Sequence, residues 1–188
     1  MTKEPKERVL NVPNALTMLR MVMVAVYLWL FFEERLYPAL VVFLLASLTD
    51  VLDGYIARKY QLITAFGKLM DPLADKLMIC AVLVTLALRE WVPWWLIAVV
   101  AAKEIMMVLG GIFMLKRGVV VYAGTIGKAA TGAFMLAIVV TFFHAHTSPV
   151  DLILQILALS LTLAAMFWYG ERAIRRLRDA NSGGKGNA

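Results

Sequence analysis

The stretch Asp50-Val-Leu-Asp53-Gly54-Tyr-Ile-Ala57-Arg58, followed after eight residues by Gly67-Lys-Leu-Met-Asp71-Pro-Leu-Ala-Asp75, governs the reading of this chain. It sets four aspartates inside two runs, residues 37–58 and 65–88, that are otherwise strongly apolar. At about 100° per residue, Asp50, Asp53, Gly54 and Ala57 share one face of a helix. Gly67, Asp71 and Asp75 form a stripe on the next helix, which is expected to bend at Pro72, where a backbone hydrogen bond is lost. Only residues 59–64 separate the two runs, so both pairs of aspartates lie within a few turns of the same helix ends. Four carboxylates can converge at one depth.

The composition around them is that of a membrane protein. Of 188 residues, 62% are hydrophobic and only 17% charged, and the mean hydropathy is +0.77. An ordinary soluble domain has about 45–50% apolar and about 25% charged residues, so a soluble globule, a disordered chain and a disulfide scaffold are all excluded. The single Cys80 can form no internal bridge. Six apolar segments are legible, at residues 14–32, 37–58, 65–88, 93–115, 128–143 and 149–169. Each is about the length of one helical crossing, and the runs are continuous rather than alternating, which argues against a barrel. Trp29, Trp91, Trp94, Trp95 and Trp168 fall near segment ends, where interfacial aromatics belong. Arg20 interrupts the first run, and Glu33, Glu34 and Arg35 follow it without a small-residue cleavage site, so it reads as a retained span. The expectation is an all-α integral membrane protein of six transmembrane helices. Residues 1–177 form one domain and 178–188 a flexible tail.

Charge orients the spans. Lys3, Lys6, Arg8, Arg58, Lys59, Lys68, Lys116, Arg117, Arg172, Arg175, Arg176, Arg178 and Lys185 flank one side, whereas the opposite connections carry Arg35 and Arg89. The positive-inside rule then puts both termini in the cytoplasm and the aspartates at the cytoplasmic face of the inner membrane. The net charge of +6 belongs to membrane edges. It gives no reason to expect a nucleic-acid partner.

Carboxylates gathered in a low-dielectric setting repel one another unless a cation offsets them. Pairing with the neighbouring Lys59, Lys68 and Lys76 would be one remedy. Aligned on two adjoining helices with Gly and Ala between, the four aspartates suit a divalent ion better. Their hard oxygens fit magnesium, manganese or calcium. Two ions about 3.5–4 Å apart would serve phosphoryl displacement. The thin faces at Gly54, Ala57 and Gly67 admit a phosphorylated ligand or a neighbouring backbone, and Arg58 can grip phosphate oxygens.

The pattern D-x2-D-G-x2-A-R-x8-G-x3-D-x3-D occurs here without deviation and resembles the signature of the CDP-alcohol phosphotransferase family. Asn11-Val-Pro-Asn14-Ala-Leu-Thr17-Met-Leu-Arg20 resembles the first-helix opening of the members that make phosphatidylglycerol phosphate, and residues 118–131 resemble their segment before helix 5. The resemblance implies six transmembrane helices in a homodimer. It also implies transfer of a phosphatidyl group from CDP-diacylglycerol to a small phosphorylated alcohol, with release of CMP and with lipid tails held between helices. By the same resemblance, Asp50, Asp53, Asp71 and Asp75 surround two Mg2+ or Mn2+ ions. Asp75 is the general base, and Asp50, Asp53, Gly54, Ala57, Arg58 and Gly67 line the nucleotide site.

The acceptor is less sharply written. Lys103, beside Glu104 in the middle of the fourth segment, Lys128 and Arg117 are the candidate contacts for an anionic acceptor. Their plain alternatives are a local Lys103–Glu104 ion pair and cytoplasmic flanking charge. Lys103 stands where the resembling members carry Arg, and Ala130 where they carry Lys. This leaves phosphatidylglycerol, which would yield cardiolipin, beside glycerol 3-phosphate as the acceptor. A divalent-cation transporter is the reading from another class, but it would need a polar path through both leaflets. His144 and His146 lie far from the aspartates in this topology and are expected to take no part in chemistry.

Overall fold

All regular structure among the described residues is helical. The computed structural model describes residues 11–60, 64–117 and 125–183. For Pro13, Ala57, Arg58, Ala65, Phe66, Lys68, Leu69, Thr125, Lys128 and 176–183 it describes the backbone alone. The chain forms two compact units, Met1–Arg89 and Glu90–Ala188.

The first unit contains α1 (Val12–Phe32), α2 (Leu36–Lys59) and α3 (Ala65–Leu88). Helix α1 packs against both α2 and α3, more extensively than those two pack against each other. Its start is fixed locally: the Asn11 side chain accepts from the Asn14 backbone N–H at 2.9 Å, with a proline in the first turn where no amide partner is needed. Its end is a Schellman turn. The Arg35 N–H reaches the Leu30 carbonyl at 2.9 Å and the Glu34 N–H reaches that of Phe31 at 3.1 Å, with Glu34 left-handed at φ 61°. Arg89, at the end of α3, pairs with Glu34 and lies 5.0 Å from the Phe31 ring. Between these ends Tyr27, Phe31, Ala39, Phe43, Ala46, Met78, Val82 and Leu86 are buried. Tyr27 and Thr85 join α1 to α3 through their hydroxyls at 2.7 Å.

The second unit contains α4 (Trp94–Lys116), α5 (Thr125–Thr141), the short α6 (His144–Thr147) and α7 (Val150–Gly183). Helices α5 and α7 pack together and α4 packs on α7. A polar knot ties this unit beside α6. The Gln155 amide donates to Thr141 at 2.8 Å and to the Trp91 carbonyl at 3.2 Å. His144 meets the fully buried Asp151 at 2.5 Å and stacks on Trp91.

Four helices are long and apolar enough to cross a membrane among the described residues: Asn14–Phe32, Leu36–Ile56, Trp94–Lys116 and Val150–Arg175. The protein is therefore a multi-pass membrane protein. Two of the six expected crossings fall short of that standard. Every eighteen-residue stretch of α3 includes Asp71, Asp75 and Lys76, and the apolar part of α5, Ala129–Thr141, is short. Helix α3 continues through Pro72.

Helix α7 runs past the end of its apolar run at residue 169, from Val150 to Gly183. Side chains beyond Tyr169 sustain it. Arg172 lies over the Trp168 ring at 3.5 Å, and Arg175 pairs one turn back with Glu171 at 2.5 Å. The charges that ended the apolar run thus extend the helix.

Candidate active site

Helix α2 carries Asp50 and Asp53 three residues apart, so both project toward one side. Facing them from α1 is Arg20, only 1% exposed although it sits in an apolar helix. Its Nη1 lies 2.8 Å from Oδ1 of Asp50, an ion-pair contact without hydrogen-bond alignment, and its Nη2 donates to Oδ2 of Asp53. Asp53 is 3% exposed and Asp50 41%. Desolvating a guanidinium and a carboxylate is tolerable only when each finds the other. Among the described residues, the cation that meets this pair of aspartates is thus Arg20.

Helix α3 begins at a cap that also belongs to the site. Thr64 is extended, and its Oγ1 accepts from the Gly67 N–H at 3.0 Å. The same hydroxyl exchanges hydrogen bonds with the Asn14 side chain at 3.0 and 3.1 Å. A Cβ on Gly67 would stand 2.7 Å from Asn14 Oδ1 and 3.3 Å from Thr64 Oγ1, so only glycine lets α1 approach here. One turn further along α3, Asp71 accepts from the Thr17 hydroxyl through Oδ1. Asp75 follows one turn later, half-buried. Helix α1 therefore spends Asn14, Thr17 and Arg20, three residues apart, on the cap of α3 and on three of the four aspartates.

The donor set suits a divalent cation: carboxylate oxygens from two helices, held on a third, with no sulfur or imidazole nearby in the motif. Each contact from Arg20 or Thr17 engages one oxygen of its carboxylate. Among the described residues no three acidic, His or Cys side chains are drawn together as ligands. Gly54 stands beside Asp53 on α2, and the side chains of Ala57 and Arg58 lie outside the described residues.

The candidate acceptor residues belong to the second unit. Lys103 forms an ion pair with Glu104 at 2.6 Å, its side chain 13% exposed. Arg117 is exposed, its guanidinium 4.7 Å from the Phe113 ring. Lys128 falls outside the described side chains, but the neighbouring Gly127 N–H donates to the Tyr169 hydroxyl at 3.1 Å. Arg20, Thr17 and Asn14 were not anticipated as site residues. The signal for Arg20 was present, because an intramembrane arginine is rare and functional by default. Its spacing of three from Thr17 pointed to the same helix face.

The family model described as CDP-alcohol phosphatidyltransferase matches residues 10–168. A cardiolipin synthase (CMP-forming) of Streptomyces coelicolor is 38% identical over 143 residues, covering 72% of this chain and 66% of that protein. A CDP-diacylglycerol–glycerol-3-phosphate 3-phosphatidyltransferase of Bacillus subtilis is 32% identical, covering 71% of this chain and 77% of its own length. A probable phosphatidylglycerophosphate synthase of Mycobacterium tuberculosis is 31% identical over 182 residues, covering 90% of this chain and 85% of its own.

Proposed function

The chain belongs to the CDP-alcohol phosphatidyltransferase family, and from that premise we propose that it transfers the phosphatidyl group of CDP-diacylglycerol to glycerol 3-phosphate. The products are phosphatidylglycerol phosphate and CMP. The observation that carries the reading is the unbroken aspartate signature of α2 and α3, with Asp50, Asp53 and Asp71 all turned toward one face of α1. The choice of acceptor rests on the similarity to the B. subtilis and M. tuberculosis proteins.

Asp50, Asp53 and Asp71 would hold the metal, with Asp75 beside them. When bound, two Mg2+ or Mn2+ ions offset the charge of the donor pyrophosphate and of the departing CMP. Gly54, Ala57, Arg58 and Gly67 line the cytidine diphosphate site. Asp75 takes the proton of the acceptor hydroxyl as its oxygen bonds to the phosphatidyl phosphorus. The bond from that phosphorus to CMP breaks, and CMP leaves with the electron pair. Lys103, Lys128 and Arg117 receive the acceptor phosphate. The catalytic domain, residues 1–177, crosses the inner membrane six times with both termini cytoplasmic, pairs as a homodimer, and works at the cytoplasmic face. There a water-soluble acceptor meets a lipid donor whose tails stay among the helices.

The 38% identity to a CMP-forming cardiolipin synthase favours one second reading, the same transfer with phosphatidylglycerol as acceptor. An acceptor panel separates them: purified protein in lipid nanodiscs, labelled CDP-diacylglycerol, Mg2+, and products read by mass. Phosphatidylglycerol phosphate is expected with glycerol 3-phosphate. Cardiolipin from phosphatidylglycerol alone would move the assignment to the second reading. Absence of CMP release with every alcohol, with cation flux in vesicles, would replace both with transport.

A further inference from the structure

We propose that Arg20, supported by Thr17, is the positioning residue that arrays the aspartates for the cation and so sets metal affinity. The inference rests on the reading that Asp50, Asp53 and Asp71 hold a divalent ion. The guanidinium is buried in an apolar helix, and its Nε has no hydrogen-bond acceptor among the described residues. Its contacts with acids among the described residues are the two to Asp50 and Asp53. An arginine kept at a membrane edge to anchor a helix would extend to water; this one turns inward.

The chemistry of the fork explains the choice. Two guanidinium nitrogens at fixed separation contact two carboxylates that stand three residues apart on α2, Asp53 through a hydrogen bond and Asp50 through charge alone, so one planar group sets the spacing of the acids. An ammonium would supply charge at a point and leave one of them unguided. One turn earlier on α1, the Thr17 hydroxyl does the same for Asp71 on α3. Three carboxylates from two helices are thus indexed to a single third helix. Outer contacts of this kind orient metal ligands and tune affinity, and losing one typically costs 10–100-fold in metal binding.

Without Arg20 the mutual repulsion of Asp50 and Asp53 is no longer offset, and the two acids turn apart. A positive charge beside the ligands also opposes a cation by simple Coulomb repulsion. The proposal requires that orientation outweigh that repulsion.

Mn2+ binding to the nanodisc protein, followed by electron paramagnetic resonance without substrate, decides the matter. R20Q is expected to weaken Mn2+ binding at least tenfold, and R20K by an intermediate factor. Turnover of R20Q should recover as Mg2+ is raised, which a packing defect would not do. Unchanged or tighter Mn2+ binding in R20Q overturns the proposal, tighter binding making Arg20 a competitor of the metal. Should R20Q fail to fold, T17V carries the test, with a several-fold loss expected and an unchanged affinity overturning the proposal. A wild-type protein that binds Mn2+ no better than D50N/D53N overturns the metal reading and this inference with it; wild-type binding that R20Q and T17V retain overturns this inference alone.

Discussion

Asn14 on α1 and Gly67 on α3 occupy adjoining space so closely that a methyl group on the glycine would stand 2.7 Å from the asparagine Oδ1. Asn14 cannot swing aside cheaply, because it is 4% exposed and tied to Thr64. Gly67→Ala is therefore expected to destabilise the protein by about 1–3 kcal/mol, the usual cost of overpacking. Asn14→Ala added to Gly67→Ala should recover part of that loss. Thermal unfolding in detergent measures both. A single Gly67→Ala variant as stable as wild type would show that α1 does not dock there.

The same pair marks how far the sequence could be read. The aspartate spacing, the apolar runs and the glycine on the aspartate face were all legible, because helical periodicity fixes which residues share a face of one helix. The thin face at Gly67 was legible too, though not which neighbour would use it. Periodicity says nothing about which helix lies opposite, and so the contributions of Asn14, Thr17 and Arg20 from α1 stayed hidden. Arg20 could be seen only as a charge that interrupts a span. The end of α7 was hidden for a different reason: hydropathy ends where lipid ends, whereas a helix stops only when its backbone hydrogen bonds do. Arg172 over Trp168 and Arg175 with Glu171 let α7 continue into polar surroundings.

Tyr27 and Thr85 offer a measure of polar tethering between α1 and α3. Thr85 also donates toward the carbonyls of Ala81 and Val82, so it keeps partners when the tyrosine hydroxyl is removed. Tyr27→Phe should then cost only about 0.5–1.5 kcal/mol. In a double-mutant cycle Thr85→Val should add less in the Phe background than in wild type. Fully additive effects would mean that the 2.7 Å contact carries no coupling.

Asp75 lies one turn beyond Asp71 on α3, and its proposed catalytic task, beside the metal, is to take the acceptor's proton. Asp75→Asn keeps the shape and removes the base. Transfer should fall by at least 100-fold, the lower end of a general base's contribution, while binding of a cytidine nucleotide persists. Equal losses of nucleotide binding and transfer would return Asp75 to the donor or metal site, and near-normal turnover would remove it from the mechanism.

Lys103 is engaged by Glu104 at 2.6 Å, so two roles predict different kinetics. As an acceptor contact, Lys103→Ala raises the KM for glycerol 3-phosphate and leaves that for CDP-diacylglycerol in place, and adding Glu104→Gln does not restore it. As a mere neutralising partner, Lys103→Ala is repaired by Glu104→Gln. The first pattern is expected, and steady-state kinetics on the three variants distinguish them.

His144 and Asp151 stand in the second unit with a buried acid as their centre. Asp151 is fully buried, its Oδ2 2.5 Å from His144 Nδ1, and its Oδ1 has no hydrogen-bond partner among the described residues. Removing one partner of a buried pair typically costs about 3–5 kcal/mol by leaving the other uncompensated. Here the loss strands an imidazole that is 29% exposed and can turn to water, so the cost is lower, about 2–3 kcal/mol. Asp151→Ala should therefore lower the unfolding temperature while turnover per folded molecule stays at the wild-type level. His144→Ala leaves the harder problem, a fully buried carboxyl group stripped of its hydrogen-bond partner, and should destabilise more than Asp151→Ala does. The reverse order in a thermal-unfolding comparison would mean that the pair is not held together by the need to satisfy the buried Asp151. A loss of turnover at unchanged stability would mean instead that this histidine, expected to stand apart from chemistry, takes part in it.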